Sequence, residues 1–152
     1  MATTRWLDER ESRLWRSWLR VNQELTEELG GQLSRDSGLS SADYAVLVPL
    51  SESPEGVLRA RDLGRAILWG RDRLSHHVRR MEKRGLVVRE ECLDDARGSM
   101  IRLTPAGRAA IDKAAPRHVE ATRRYFIDLL TDEEIELLTT VCDRILANLH
   151  ER

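Results

Sequence analysis

The residues best equipped for chemistry fall in one short run, Arg71-Asp72-Arg73-Leu74-Ser75-His76-His77-Val78-Arg79-Arg80. Arginine can bond bidentately to guanine O6 and N7, while serine and histidine can meet base edges or phosphates. Placed on a helix at 100° per residue, Leu74, Val78 and Met81 point together and predict a buried stripe. Asp72, Arg73, Ser75, His76, Arg79, Arg80 and Lys83 fall away from it. Helices that read DNA use residues near their N-terminus for bases. Arg71, Arg73, Ser75, His76 and Arg79 are therefore the candidate DNA-binding set, with Arg71 lying nearest the apolar stripe. Arg80, Lys83 and Arg84 are assigned to phosphates or to acids within the protein.

Other chemistries fit less well. Adjacent His76 and His77 diverge by about 100° and have no second ligand one turn on, so no metal site is predicted. His77 reads instead as a partly buried histidine beside the core. The chain offers no glycine-rich phosphate loop, no nucleophile with an adjacent base and no metal-ligand cluster, which argues against an enzyme and implies neither catalytic residues nor a cofactor. Charge agrees with a phosphate partner. Nine basic and three acidic residues lie between Arg59 and Arg84, a surplus of six, in a chain whose net charge is −1. A basic patch on an acidic body is the footprint of a protein that docks one face on nucleic acid. The competing reading is that these arginines merely solvate two helices.

The elements that would carry this face follow from periodicity and punctuation. With 152 residues, 34% charged and 41% hydrophobic, the chain is expected to be a single helix-rich domain spanning 1–152, long enough to bury a core. No apolar run of the ~20 residues that span a bilayer occurs, and the charged start lacks a signal-peptide pattern. A cytoplasmic protein with no membrane partner is expected. Leu7, Leu14, Trp18, Val21, Leu25, Leu29 and Leu33 predict a first helix over 7–33 with one long apolar stripe, ended by Gly30-Gly31 and the polar run 34–38. Ser40 is the expected cap of a second helix, with Asp43 adding charge to its first turn. That helix should end near Ser51. Val57-Leu58-Arg59 can form a strand, and 60–68 a short helix with Leu63, Ala66 and Ile67 inward. A turn at Trp69-Gly70 then leads into the arginine-rich helix, completing a helix-turn-helix.

Gly85 ends that helix as a left-handed cap, and 86–91 with 99–104 predict a hairpin beside it. A hairpin in that place is a wing, and an arginine at its tip can enter the minor groove. Arg97 is the candidate, with Asp95 to orient its guanidinium and Gly98 to shape the turn. An ordinary hairpin turn, in which Asp95 and Gly98 only shape backbone, is the alternative.

The run from Leu39 to Gly107 resembles the MarR family of bacterial winged helix-turn-helix regulators. The resemblance rests on Leu39-Ser40 with Tyr44, the helix-turn-helix, 80–87 (RMEKRGLV), Asp95-Ala96-Arg97-Gly98, and Leu103-Thr104-Pro105-Ala106-Gly107. With the flanking helices it covers nearly the whole chain, and Trp69 with 73–78 resembles a branch common in actinobacteria. It implies a mainly α fold with a small β wing, a winged helix-turn-helix region over 39–104, and an obligate homodimer. It also implies double-stranded DNA with a palindromic operator as partner, and repression relieved by a small effector. A winged helix serving only protein contacts, or a DNA-binding regulator without a small-molecule ligand, is the alternative.

The C-terminal third predicts the dimer on its own grounds. Thr104 with Pro105 opens a helix to about Leu130, and 131–134 read as a capping box. In the last helix Ile135, Leu138, Cys142, Ile145 and Leu149 form a narrow seam suited to another helix. The stretches 7–33 and 105–151 are thus the expected dimerisation helices. Cys92 and Cys142 are too few for a disulfide framework or a cysteine-based zinc site; Cys142 reads as a small buried hydrophobe of the seam, with an intersubunit disulfide or a thiol sensor as the alternative. In the family, aromatic or phenolic compounds bind between frame and head, which makes Trp15, Trp18 and Tyr44 candidate ligand-binding residues; core packing is the competing role for all three.

Overall fold

The computed structural model describes residues 3–91 and 98–151. Helix α1 (Glu9–Ser37) begins with a reciprocal capping box between Asp8 and Glu11. It runs straight through Gly30-Gly31 and ends only at Gly38, in the left-handed region at φ 70°. The predicted end at Leu33 is thus corrected. Leu33 and Gln32 are buried at this point, and a Cβ at Gly30 would sit 3.0 Å from Ser41 Oγ. Close packing at this end outweighs the helix-weakening effect of glycine, which amounts to only about 1 kcal/mol per residue.

Helix α2 (Ser41–Glu52) is capped by Ser40, whose hydroxyl accepts from the Asp43 N–H while the Asp43 carboxylate accepts from the Ser40 N–H, each at 3.0 Å. Strand β1 (Val57–Arg59) leads into α3 (Ala60–Ile67), the turn, and α4 (Arg71–Lys83). Strands β2 (Val87–Glu91) and β3 (Ser99–Leu103) close an antiparallel sheet in the order β1-β3-β2. Ile101 sits at its centre, opposite Leu58 on one side and Arg89 on the other.

The core forms where α2, α3, α4 and the sheet meet: Val46, Leu47, Leu50, Leu63, Val78, Met81 and Ile101 have no exposed surface. Burying side chains of this size contributes roughly 1.5–3 kcal/mol each. Leu74, Val78 and Met81 are buried on α4, as their spacing predicts. On α3, Leu63 is buried and Ile67 half-buried, but Ala66 is exposed. Gly64 takes the inward place expected of it, because the Trp69 carbonyl approaches to 3.2 Å of where a Cβ would stand.

Helix α5 (Pro105–Tyr125) starts at the Thr104 cap, with Pro105 in its first turn. It stops short of the expected Leu130. A 3-10 turn, Ile127–Leu129, follows, and Arg123 donates to Asp128 at 2.6 Å across it. Helix α6 (Asp132–His150) begins at Thr131, whose hydroxyl accepts from the Glu134 N–H; the return bond of the predicted capping box is not made. No residue of α6 is buried, and Leu138, Ile145 and Leu149 of its seam stand open, as do Leu14, Trp15, Trp18 and Val21 on α1. Cys142 is likewise exposed in the single chain. Among the described residues no helix is long and apolar enough to cross a membrane.

Candidate nucleic-acid interface

The turn between α3 and α4 is tight. Leu68 adopts φ 58°, ψ 37°, and is the only non-glycine residue with positive φ among those described. The Trp69 N–H then donates to the Gly64 carbonyl at 3.0 Å. Gly70 precedes α4 and supplies no side-chain cap, so the first N–H groups of α4 are left to meet an anion such as phosphate. The Trp69 indole folds back on the new helix: the Arg73 guanidinium lies 4.1 Å from its ring centre, and the His77 ring packs edge-on at 5.5 Å.

Beneath this stands a buried polar cluster. Asp43 is 2% exposed and accepts three bonds: from Arg84 at 2.7 Å, from His77 Nε2 at 2.9 Å and from the Ser40 N–H. Burial pushes the Asp43 carboxyl up, but the Arg84 bond, the Ser40 N–H, the Arg84 charge and the His77 bond together hold it below the ordinary carboxylate value. Arg80 donates to the other His77 nitrogen, Nδ1, at 3.2 Å. Arg84 also reaches the Gly38 carbonyl at 3.5 Å, so the intramolecular role expected of Arg84 is the one observed.

Outward from the cluster, α4 leaves Arg71, Arg73, His76 and Arg79 exposed, together with Arg80 and Lys83. Ser75 is half-buried and accepts from the Arg89 guanidinium of β2 at 3.4 Å. A cleft of about 880 Å³ lies between the α3–α4 turn and the turn-side half of the hairpin, and Arg59, Arg61, Arg65, Arg71 and Arg89 all line it. Gly98, also on its wall, is half-buried just before β3. Asp95 and Arg97 lie outside the described residues, as does Cys92. On the hairpin, Arg102 and Glu90 make a two-bond ion pair at 2.8 and 3.2 Å. Arg102's hydrogen bond holds the Glu90 carboxyl below its usual value.

Trp15, Trp18 and Tyr44 do not come together within one chain. Trp15 and Trp18 are about half exposed near the start of α1, whereas Tyr44 lies beside His118, with ring centres 4.4 Å apart. His118 in turn bonds Gln32 of α1 through Nδ1 at 2.9 Å. Trp18 is fourteen residues from Gln32, about 21 Å along the helix at 1.5 Å per residue. Burial, with the Glu52 charge, raises the Tyr44 hydroxyl, and burial lowers His118. Among the described residues no group of three or more His, Cys, Asp and Glu side chains could hold a metal ion.

Sequence reading missed four participants. Asp43 was visible only as an acid in the first turn of α2, Trp69 only as a turn residue and a mark of the resemblance, and His118 not at all. Arg89 could have been found, since its strand position is expected to face α4 once the wing is assumed.

A three-stranded wing packed beside a helix-turn-helix, with a dense arginine surface on the second helix, defines a winged-helix DNA-binding protein. Comparison with known proteins makes the class specific. The MarR family model matches residues 37–98. The chain is similar to AbsC, a MarR family transcriptional regulator from Streptomyces coelicolor, with 41% identity and a TM-score of 0.94, over 98% of this chain and 100% of that one. It is similar also to Sco3205, a MarR family transcriptional regulator of the same organism crystallised in complex with DNA. Here identity is 38% and the TM-score 0.94, over 97% of this chain and 92% of that one. Among curated proteins, the HTH-type transcriptional regulator YkoM of Bacillus subtilis is 27% identical over 86% of this chain and 82% of its own length. The chain belongs to the MarR family of transcriptional regulators and is not an enzyme.

Proposed function

We propose that this regulator acts as a homodimeric repressor that binds a palindromic operator through α4 and the wing. The observation that carries the reading is the exposed arginine surface of α4 beside an arginine-lined cleft. Arg71, Arg73, His76 and Arg79 stand where a helix in the major groove meets base edges, and Ser75 is tied to Arg89 at its flank. Arg97, with Asp95 and Gly98, extends the same contact into the minor groove. That Sco3205, 38% identical, was crystallised in complex with DNA supports DNA as the partner.

The dimer follows from what one chain leaves uncovered. Leu138, Ile145 and Leu149 on α6, and Leu14, Trp18 and Val21 on α1, are all more than a third exposed. Apolar stripes this long are stable in water only when another surface covers them. The segments 7–33 and 105–151 therefore serve as dimerisation helices, and 39–104 as the reading head. A small aromatic or phenolic effector would act by preferring one spacing of the two heads, since equal affinity for both spacings shifts nothing. Trp15 and Trp18 reach such a site only if the partner subunit brings it to them, whereas Tyr44 lines the frame-to-head junction within one chain. Such a protein works in the cytoplasm, where its DNA is.

Fluorescence-anisotropy titration against the DNA upstream of its own gene tests the reading. Affinity should fall with salt at a log–log slope of about −0.9 per phosphate neutralised, two chains should bind per site, and Arg73→Ala should weaken binding about ten-fold or more. Salt-independent binding, or none to any duplex, would sink it.

A further inference from the structure

Two arginines of the reading face do not extend freely. Arg73 lies on the Trp69 ring at 4.1 Å, Arg80 donates to His77 Nδ1 at 3.2 Å, and Trp69 and His77 pack edge-to-face at 5.5 Å. Arg73, His77 and Arg80 are spaced four and three residues apart on α4, so they form one stripe between its buried and outward sides, and Trp69 covers the start of that stripe from the preceding turn. At its inner edge His77, 8% exposed, donates to Asp43 at 2.9 Å.

The donors and acceptors allow a single assignment for the histidine. Arginine only donates, so His77 Nδ1 must accept. An ionised Asp43 only accepts, so Nε2 must carry the proton. His77 is therefore the neutral Nε2–H tautomer, specified from both sides. Arg84, on the second oxygen of Asp43 at 2.7 Å, keeps that carboxylate ionised and in place. A guanidinium that gives one N–H to His77 still has donors for a phosphate or a base, now from a fixed direction. The same holds for Arg73, whose face is occupied by Trp69 while its edge remains open.

We propose that His77 and Trp69 are positioning residues for DNA recognition, His77 aiming Arg80 and Trp69 aiming Arg73, with Asp43 fixing the His77 tautomer that makes this possible. The proposal rests on the DNA-binding reading above and adds Arg80 to the contact surface. Aiming matters because a fork already ordered loses less side-chain entropy on binding.

The test is a pair of double-mutant cycles, read by anisotropy on a duplex from upstream of the gene and on a shuffled duplex. His77→Phe keeps the ring against Trp69 but cannot accept from Arg80. It should weaken binding roughly ten-fold, the scale of one hydrogen bond to a charged group. In an Arg80→Ala background the same change should cost less than about two-fold, since the interaction is already gone. His77→Gln, which can both donate and accept, should recover part of the loss. Trp69→Leu should show the same dependence on Arg73→Ala. A merely structural role predicts the same factor in both backgrounds, and that result would overturn the proposal while leaving DNA binding intact. Wild-type protein that binds neither duplex would overturn the DNA reading and this proposal with it. If His77→Phe does not fold, ¹⁵N spectra of the wild-type histidines decide. They should show a protonated Nε2 and an accepting Nδ1 on His77, with the Nδ1 resonance moving in Arg80→Ala. The opposite tautomer, or an unmoved resonance, refutes it.

Discussion

Replacing Asp43 by Asn tests whether the buried cluster holds the head together through charge. The side chain is 2% exposed and accepts from Arg84, His77 and the Ser40 N–H. Asparagine retains the shape and one acceptor oxygen, but its amide N–H groups then face a donor. One charge-assisted bond is lost outright, at about 1.5–3 kcal/mol, and the remaining ones weaken. The Arg84 side chain is 45% exposed, so its share of the ion pair is screened by solvent and the total stays moderate. A loss of about 2–3 kcal/mol is expected at pH 7, which lowers the melting temperature by roughly 5–10 °C for a chain of this length. The sign with pH is fixed by the direction of the Asp43 shift, since its folded value lies below the unfolded one. Its stabilisation is complete above the unfolded carboxylate value of about 4 and disappears as pH falls through the lower folded value. The gap between wild type and Asp43→Asn should therefore be constant from neutral pH down to about 5, then close in stronger acid. Urea titrations at fixed protein concentration, from pH 7 downward, measure it, since subunit association makes stability depend on concentration. A variant within about 0.5 kcal/mol of wild type at pH 7, or a gap unchanged by acid, would refute the reasoning.

Two further predictions concern backbone. At Gly107 an added Cβ would stand 2.0 Å from the Leu86 carbonyl oxygen and 2.7 Å from Leu103 Cδ1. That oxygen already accepts the Thr104 N–H, so it cannot withdraw cheaply, and Gly107→Ala should cost more than about 3 kcal/mol in a melting or urea experiment. A variant as stable as wild type would show that α5 can shift without loss. At Leu68 the left-handed backbone carries a side chain that is 74% exposed. Leu68→Gly should therefore leave stability unchanged or raise it by up to about 1 kcal/mol. A clear drop in melting temperature would mean that the leucine contributes a contact that outweighs its strain.

Much of the head was legible because its signals are local. The Leu74-Val78-Met81 stripe, the Gly85 stop at φ 74° and the Thr104-Pro105 start each depend on residues within a turn or two, and each is observed. Where expectation failed, distant packing had intervened. Gly30-Gly31 weakens an isolated helix, yet α1 continues because its last turns are packed against the rest of the fold. Helix α3 is too short for its period to separate Ala66 from Gly64, and the Trp69 carbonyl settled the choice. Asp43 was harder still. Its position as third residue of α2 fully explains an acid there, and its other partners, His77 and Arg84, are 34 and 41 residues away. On the candidate ligand aromatics, the predicted helix over 7–33 placed Trp15 and Trp18 on α1, but no periodicity states how far along a helix a distant wall such as Tyr44 will fall.

The double use of Asp43 also says something about how the reading helix is held. Apolar contacts such as Leu74, Val78 and Met81 fix the distance of α4 from the core, but they are non-directional and tolerate small rotations. Hydrogen bonds to a buried carboxylate are directional, and in a low-dielectric setting they are strong. The same oxygen that caps α2 holds Arg84 at the end of α4, and Arg84 touches the Gly38 carbonyl that closes α1. Rotation of α4 is thereby registered against the end of α1 and the start of α2. An apolar set replacing Asp43, His77 and Arg84 together could fill the space and even raise stability, whereas removing Asp43 alone leaves its partners unpaired. The apolar set would leave the direction of the arginine face unspecified, and for a protein that reads base edges direction is the property at stake.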